Sequence, residues 1–144
     1  MAMSIREAFD RGTEAFNAHD LDAFAELWAD DVVQTAPGGM RFEGRDESMQ
    51  FYGVWFEAFP DCRVDIDRAI FTDDAVVEQG TFSGTHNGVF HTPDGDIPPT
   101  GRPVKAPYVN VIDFRDGRFV RGNLMFDRLA LLEQLGLVPQ PAAG

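Results

Sequence analysis

The first sixty residues place apolar side chains three and four positions apart, which is the spacing of amphipathic helices. The pattern predicts a helix over Ser4–Ala18, a short helix capped by Asp20, and a third helix from Gly44 that ends at Pro60. Between the second and third helices, the run Val32–Ala36 predicts a short strand. This part of the chain is therefore mainly helical.

The remaining chain alternates apolar and polar residues, as strands with one buried face do. A loop rich in Gly, Pro and Asp spans Asn87–Pro103, and Asp116-Gly117 is a strong hairpin signal. Four strands are predicted: Arg63–Phe71, Val76–His86, Val104–Phe114 and Arg118–Phe126. Helices followed by long strands predict one α+β domain over residues 1–138, with the helices on one face of a curved antiparallel sheet and a flexible tail at 139–144.

Asp127 follows the last predicted strand and directly precedes an apolar helical segment. Because alternate strand residues face the same way, Asn123, Met125 and Asp127 share one face. A carboxylate that faces an apolar interior has a raised pKa, as a proton-transferring group near neutrality requires. Asp is also a favoured N-cap residue, so the pattern fits either an acid/base or a helix cap.

The strand that ends at His86 separates into a mostly polar face and a face that carries Glu78 and His86. Gly80 and Gly84 leave space on the second face, which therefore predicts a cavity border rather than a filled core. Glu78 is either a second inward carboxylate or a rim carboxylate paired with an Arg.

In the next strand Tyr108 and Asn110 share one face, while Val109 and Val111 share the other. Both faces are fairly apolar, so alternation alone does not decide which one is inside. Tyr108 and Asn110 either orient a substrate carbonyl or hydroxyl, or belong to a hydrogen-bonded core. A two-sided apolar strand also predicts a second subunit, and hence a homo-oligomer.

Composition narrows the range of possible functions and partners. The chain has 144 residues, 13 of them Phe, and this ring area suits a deep core or an aromatic-lined cavity. A net charge of −12 argues against nucleic acid or an anionic membrane as the partner. With no transmembrane stretch and no secretory signal, a soluble cytoplasmic protein is predicted.

Metal and cofactor signatures are not found in the sequence. Cys62 is the single cysteine, and its alternating apolar surroundings indicate a small core residue. The three histidines lack metal-site spacing, and no Gly-rich phosphate loop or nucleophile elbow is present, so we predict no metal and no cofactor. Acid–base chemistry in an apolar pocket, or binding without chemistry, remains.

Several segments resemble, in order, the motifs of SnoaL-like polyketide cyclases, also called ester cyclases. They cover nearly the whole chain: Asn17–Ala23, Leu27–Val33, Ala58–Asp61, Gly84–Gly88, Ile97–Arg102, Phe114–Gly117 and Asp127 with Leu131–Gly136. The resemblance implies a cone-shaped α+β barrel of the nuclear transport factor two-like class, with the N-terminal helices on the concave face of a mixed sheet, assembled as dimers or tetramers.

The resemblance also implies cofactor-free aldol closure of a polyketide ring, with Asp127 as the acid/base. The expected substrate is a small apolar or aromatic polyketide-like ester, and His86, Asn110 or Tyr108 is expected to hold its enolate oxygen. The other predicted substrate contacts are Trp28, Thr35, Tyr52, Phe56, Glu78, Asn123 and Met125.

The chain departs from the family pattern at a few positions. Thr35 and Ala36 replace a polar aromatic or His followed by Asp, and Gly80 and Asn123 stand where relatives often have Trp. These changes reshape the pocket and leave three alternatives: a ketosteroid-type isomerase, a hydrolase, or a non-catalytic binder of an apolar metabolite. Epoxide hydrolysis would need an Asp–Arg–Asp group, and no inward Arg is evident.

Overall fold

A computed structural model describes residues 3–138. Its helices are α1 (Ile5–Asn17), α2 (Leu21–Ala25), α3 (Arg45–Ala58) and α4 (Arg128–Gln134). Its strands are β1 (Trp28–Ala36), β2 (Met40–Glu43), β3 (Arg63–Phe71), β4 (Ala75–Thr85), β5 (Phe90–Thr92), β6 (Gly95–Ile97), β7 (Pro103–Arg115) and β8 (Arg118–Phe126). The predicted tail at 139–144 lies outside the described residues.

Six strands form one curled sheet in the order β2-β1-β8-β7-β4-β3, and β5 and β6 form a separate hairpin. All neighbouring strands of the large sheet are antiparallel except β1 and β8, which are parallel. Helices α1, α2 and α3 contact one another and pack on the concave side of the sheet through β1 and β3. The predicted α+β architecture is confirmed.

The boundaries follow from local chemistry. The side chains of Ser4 and Asp20 accept hydrogen bonds from the third residue beyond each, so they cap α1 and α2 as predicted. Asp116 and Gly117 both have positive φ, as a two-residue hairpin turn requires, and they join β7 to β8.

The structure corrects the predicted strands in three places. Strand β1 begins at Trp28, four residues before the predicted strand. The predicted loop at Asn87–Pro103 contains the β5–β6 hairpin, and β2 was not predicted at all. These strands have only three or four residues each, so their sequences hold too little alternation to show a period of two.

A single aromatic-rich core fills the space between the helices and the sheet. Trp28, Phe59 and Val76 are at most 2% exposed, and the sheet supplies Ala106 and Ile112 from the opposite side. Cys62 is also buried, as predicted, and burial raises the pKa of its thiol to about 12. None of the described helices is long and apolar enough to span a membrane.

Candidate active site

The concave face of the sheet and the helices enclose a cavity of about 100 Å³, called here the inner chamber. Most of its wall is aromatic, including Phe16, Phe24, Phe82 and Phe126. Its polar groups are few and come from the sheet and from α1 and α3. A small, mostly apolar space with a few polar groups is the usual form of a small-molecule site.

Glu78 is the carboxylate of the inner chamber. Tyr108 lies next to it on β7 and donates a hydrogen bond of 2.5 Å to Glu78 Oε2. Burial raises the pKa of Glu78, and the hydrogen bond from Tyr108 offsets part of that rise. The chamber therefore holds an acid whose pKa has moved toward neutrality.

Gly80 makes room for this pair. It is the direct cross-strand partner of Tyr108, and a Cβ at this position would lie 2.8 Å from the Tyr108 hydroxyl oxygen and 2.8 Å from the backbone oxygen of Asp65. The phenol ring can therefore lie along β4 and reach Glu78 because residue 80 has no side chain.

The hydroxyl group of Tyr52 is a second polar group of the chamber and comes from α3. Tyr52 of α3 donates a hydrogen bond of 3.0 Å to Gln34 Oε1, and Gln34 is fully buried on β1. Burial raises the pKa of Tyr52, the charge of Glu78 raises it further, and a hydrogen bond from Asn110 lowers it. Tyr52 therefore stays protonated, and its hydroxyl is held in place from both sides.

Two buried polar atoms of the chamber residues lack a protein partner within the described chain: Trp28 Nε1, a donor, and Asn110 Oδ1, an acceptor. A buried polar atom without a hydrogen bond costs free energy, and such atoms in native proteins usually mark a bound water or a ligand. Both residues line the inner chamber. The pair therefore fits a ligand that carries a carbonyl or a hydroxyl group.

Five predicted site residues meet at this chamber: Trp28, Tyr52, Glu78, Tyr108 and Asn110. The inward orientation of the Glu78 face of β4 is confirmed, and the Tyr108–Asn110 face of β7, which alternation left open, also points inward. The other predicted contacts lie elsewhere.

The prediction that Asp127 faces the apolar interior is wrong. Asp127 is exposed, and its carboxylate accepts a hydrogen bond of 2.9 Å from the backbone N–H of Ala130. It is the N-cap of α4 and lines neither the inner chamber nor the larger pocket outside it. The carboxylate binds an N–H group that would otherwise lack a partner at the start of α4. Burial of the charged group in the apolar interior would instead cost free energy.

The face of β8 that was predicted to point inward points outward. Leu124 and Phe126 line the inner chamber, so Met125 is 66% exposed on the opposite face. Asn123 accepts a hydrogen bond of 2.7 Å from the Thr35 hydroxyl, outside the chamber. The predicted inward face was the one that carries Asp127. The orientation of β8 is decided instead by burial of the large apolar side chains of Leu124 and Phe126.

His86 and Phe56 were also predicted to contact substrate, and neither lines the chamber. His86 lies beyond the end of β4, fully buried beside Phe59, where its Nδ1 accepts a hydrogen bond from the backbone N–H of Thr100. Burial lowers the pKa of His86. Phe56 stacks on His19 with ring centroids 4.7 Å apart.

Several residues that line or support the chamber were not predicted, among them Gln34, Phe51 and Trp55. Gln34 shares its face with Val32 and Ala36, and this alternation could have revealed it. Phe51 and Trp55 are one helical turn apart on α3 and both line the inner chamber. Their i, i+4 spacing places the two rings on one side of the helix and is visible in the sequence.

A larger pocket of about 580 Å³, called here the outer pocket, lies against the inner chamber. The β5–β6 hairpin forms one of its walls and is held by ion pairs. His91 bonds Asp96 at 2.7 Å and Glu57 of α3 at 3.2 Å, and Arg128 of α4 lies 3.5 Å from Asp94. Within residues 3–138, no three His, Cys, Asp or Glu side chains are grouped so that they could hold a metal ion.

A curled sheet with helices on its concave face defines a known class of domain. It is the class of the ketosteroid isomerase-like fold, as shown by a protein from Catenulispora acidiphila with a TM-score of 0.76, 18% identity, and 96% of this chain and 100% of that chain covered. Residues 6–135 match the SnoaL-like polyketide cyclase family. The chain belongs to that family.

Two further solved structures are similar. A proposed SnoaL-like polyketide cyclase from Jannaschia sp. CCS1 has a TM-score of 0.82 and 25% identity, with 93% of this chain and 92% of that chain covered. IdmH, a proposed polyketide cyclase from Streptomyces antibioticus, has a TM-score of 0.75 and 29% identity, with 91% of this chain and 97% of that chain covered. The predicted family and fold are confirmed.

Proposed function

We propose that the protein is a cofactor-independent cyclase that closes a ring of a polyketide-like substrate, with Glu78 as the acid/base. One observation carries the proposal: Glu78 is a carboxyl group with a raised pKa inside an aromatic-lined chamber. A base works best when its pKa lies near the pH of the reaction. Family membership supports the cyclase class of reaction.

In the proposed step the Glu78 carboxylate removes a proton from the carbon next to a substrate carbonyl. The resulting enolate attacks a second carbonyl of the same molecule, so that one carbon–carbon bond forms and an alkoxide results. The Glu78 carboxylic acid then returns its proton to the alkoxide oxygen. Atoms and charge balance without an oxidant, a metal or a cofactor.

The neighbours of Glu78 suit this step. Tyr108 binds one carboxyl oxygen and thereby fixes the direction of the other. The indole N–H of Trp28 has no protein acceptor in the described chain, so it is available to an enolate oxygen. Preorganised donors aimed at a developing negative charge are a main source of enzymatic rate enhancement. Asn110 Oδ1 is the corresponding acceptor for a substrate hydroxyl group.

The test measures hydrogen–deuterium exchange at the carbon next to the carbonyl of 2-tetralone, a flat apolar ketone, by NMR in D2O. The native protein is expected to accelerate exchange. Glu78→Gln keeps the shape of the side chain and the bond from Tyr108 but removes the base, so it should lower the rate about 100- to 10,000-fold.

Asp127→Asn is the matched control, because Asn caps helices about as well as Asp and the substitution also removes one carboxylate. Full exchange activity in Glu78→Gln would exclude Glu78 as the base. Loss of activity in Asp127→Asn alone would return the acid/base role to Asp127. If neither native protein nor variants exchange protons, yet 2-tetralone binds, the protein is a binder and the enzymatic proposal fails.

We also infer a homo-oligomer formed through the outer face of the sheet. The pairing of neighbouring strands aligns Ile70, Val77, Val111, Asn123 and Thr35 in one row across five strands. Ile70 and Val111 are 45% and 37% exposed, and Met125 lies in the adjacent row. Light scattering of the native protein and of Val111→Glu tests this inference. A monomeric native protein would contradict it.

The cytoplasmic location stays a prediction.

A further inference from the structure

Four residues line both the inner chamber and the outer pocket: Phe51, Trp55, Phe126 and Leu131. We call them the partition. The two spaces have very different sizes, about 100 Å³ inside and about 580 Å³ outside. Sites for drug-sized ligands usually measure roughly 300–1,000 Å³. The inner chamber alone is therefore too small for a molecule of several rings, whereas the two spaces together are large enough.

Trp55 is the central member of the partition. Its indole ring contacts the ring of Phe82 on β4 at a centroid distance of 5.4 Å, that of Phe90 on β5 at 5.0 Å and that of Phe126 on β8 at 5.6 Å. It also lies between Phe51 and Phe59, one turn away on either side along α3. The side chain thus joins the helix, the large sheet and the β5–β6 hairpin at the boundary of the two spaces.

We propose that Trp55 is the specificity-determining residue of the site and limits the length of the molecule that reaches Glu78. This rests on the proposed function, which makes Glu78 the reacting group. In the resting arrangement Trp55 admits one ring and its carbonyl or hydroxyl group to the chamber. A longer, linear, uncharged aromatic or polyketide-like molecule must displace the indole ring, so that its reacting end lies beside Glu78 and its remainder occupies the outer pocket.

The charge of the chamber supports an uncharged ligand. Among residues 3–138, no Lys or Arg lines the chamber, and the one carboxyl group found there, Glu78, has a raised pKa that favours its neutral form. An anionic ligand would lose its hydration there without gaining a countercharge. The outer pocket carries both signs of charge, because Asp94 pairs with Arg128 and Asp96 pairs with His91, so it tolerates a more polar end of the ligand.

The test measures dissociation constants for three probes that share one hydroxyl group and differ in length: phenol, 2-naphthol and 2-anthrol. The proteins are the native chain, Trp55→Ala, Trp55→Phe and Phe56→Ala. Phe56→Ala is the matched control, because Phe56 is the next residue of α3, packs against other rings and lines neither space.

Trp55→Ala is expected to tighten binding of 2-anthrol at least about tenfold, since no stacked ring has to be displaced, and to leave phenol unchanged or weaker. Trp55→Phe should tighten binding of 2-anthrol by a smaller factor. It provides the test if Trp55→Ala does not fold. Phe56→Ala should preserve the native order of the three probes.

A Trp55 variant that weakens all three probes by the same factor would overturn the proposal, because Trp55 would then be an ordinary contact. No change for any probe would overturn it as well. Glu78→Gln separates this outcome from failure of the proposed function: it should change the exchange rate of 2-tetralone while leaving the size order of the three phenols intact. If the Trp55 variants change the length preference but Glu78→Gln does not change the exchange rate, the protein is a binder whose ligands are limited in length.

Discussion

Glu78 and Asp127 are two carboxylates that the same alternation argument placed inside the protein, and only Glu78 lies there. Glu78 is in the middle of β4, where pairing with Ala69 on one side and Asn110 on the other fixes its direction. Asp127 comes one residue after β8 ends, so no strand partner holds it. Alternation grouped Asn123 and Met125 correctly on one face of β8, but it did not show that this face is the outer one, and capping of α4 decides the position of Asp127 just beyond the strand.

The largest test of this comparison is the pH–rate profile of 2-tetralone exchange. A carboxylate base works only when ionised, so the native rate should rise as pH increases through the pKa of Glu78, which lies above the usual value of about 4.3. Glu78→Gln should remove this limb together with about 100- to 10,000-fold of the rate. Asp127→Asn should leave the limb in place. A limb that disappears in Asp127→Asn would reverse the assignment of the two residues.

A strong effect on the Glu78 side of the comparison is expected for Gly80→Ala. The added methyl group would press on the Tyr108 hydroxyl and on the backbone of β3, and overpacking of this kind costs about 1–3 kcal/mol. The exchange rate should fall as well, because Tyr108 is displaced from Glu78. Urea unfolding and the exchange assay measure the two effects.

Gly53→Ala is the control for that substitution. Gly53 is inside α3, and a Cβ there would meet its nearest neighbour, Leu21, at an ordinary 3.8 Å. Ala should therefore stabilise the protein by about 0.5–1 kcal/mol through helix propensity. Equal effects of the two substitutions would show that the space around Tyr108 is not restricted.

On the Asp127 side, Asp127→Ala should lower the free energy of unfolding by about 0.5–2 kcal/mol, because the N–H of Ala130 loses its acceptor. Asp127→Asn should cost much less, since Asn also caps helices. Thermal unfolding of both variants provides the measurement. If both variants were equally destabilised, the charge of Asp127 rather than its capping bond would be responsible.

The smallest effect is expected at the exposed ion pairs of the β5–β6 hairpin. Asp96, and then Glu57, raises the pKa of His91. The stabilising charge is therefore fully present below about pH 6.5, the usual pKa of His, and is lost as the pH rises through the raised value. Amide hydrogen exchange of the hairpin, corrected for its intrinsic pH dependence, should speed up above that value. In His91→Gln this transition should be missing; its persistence there would assign it to another group.

The sequence was sufficient to predict the parts of the fold that repeat a period many times. The long strands β3 and β8 were predicted with their observed bounds, and the capping residues of α1 and α2 were predicted as well. Local chemistry fixes such features. The hairpin β5–β6 was missed because its three-residue strands are stabilised by contacts with distant residues such as Glu57.

For the candidate site, alternation predicted the inward face of β4 that carries Glu78, but it did not decide which face of β7 is inside. The site was not predicted where a residue's role depends on the three-dimensional neighbourhood. Trp55 is half-buried on α3, where apolar residues occupy nearly every side of the helix, so the spacing of Phe51 and Trp55 did not by itself show that this side forms the partition. Asp127 is a residue type suited to acid–base catalysis, but it stands directly before α4 and caps that helix instead.

The parallel pairing of β1 with β8 has a consequence for biosynthesis. Trp28 is paired with Phe119, more than ninety residues later in the chain, so the sheet cannot close until the last strand has left the ribosome. Until then the aromatic surface formed by the early helices is open to solvent and to other nascent chains. Ribosomes stalled before β8 should therefore display a chaperone-binding, aggregation-prone intermediate.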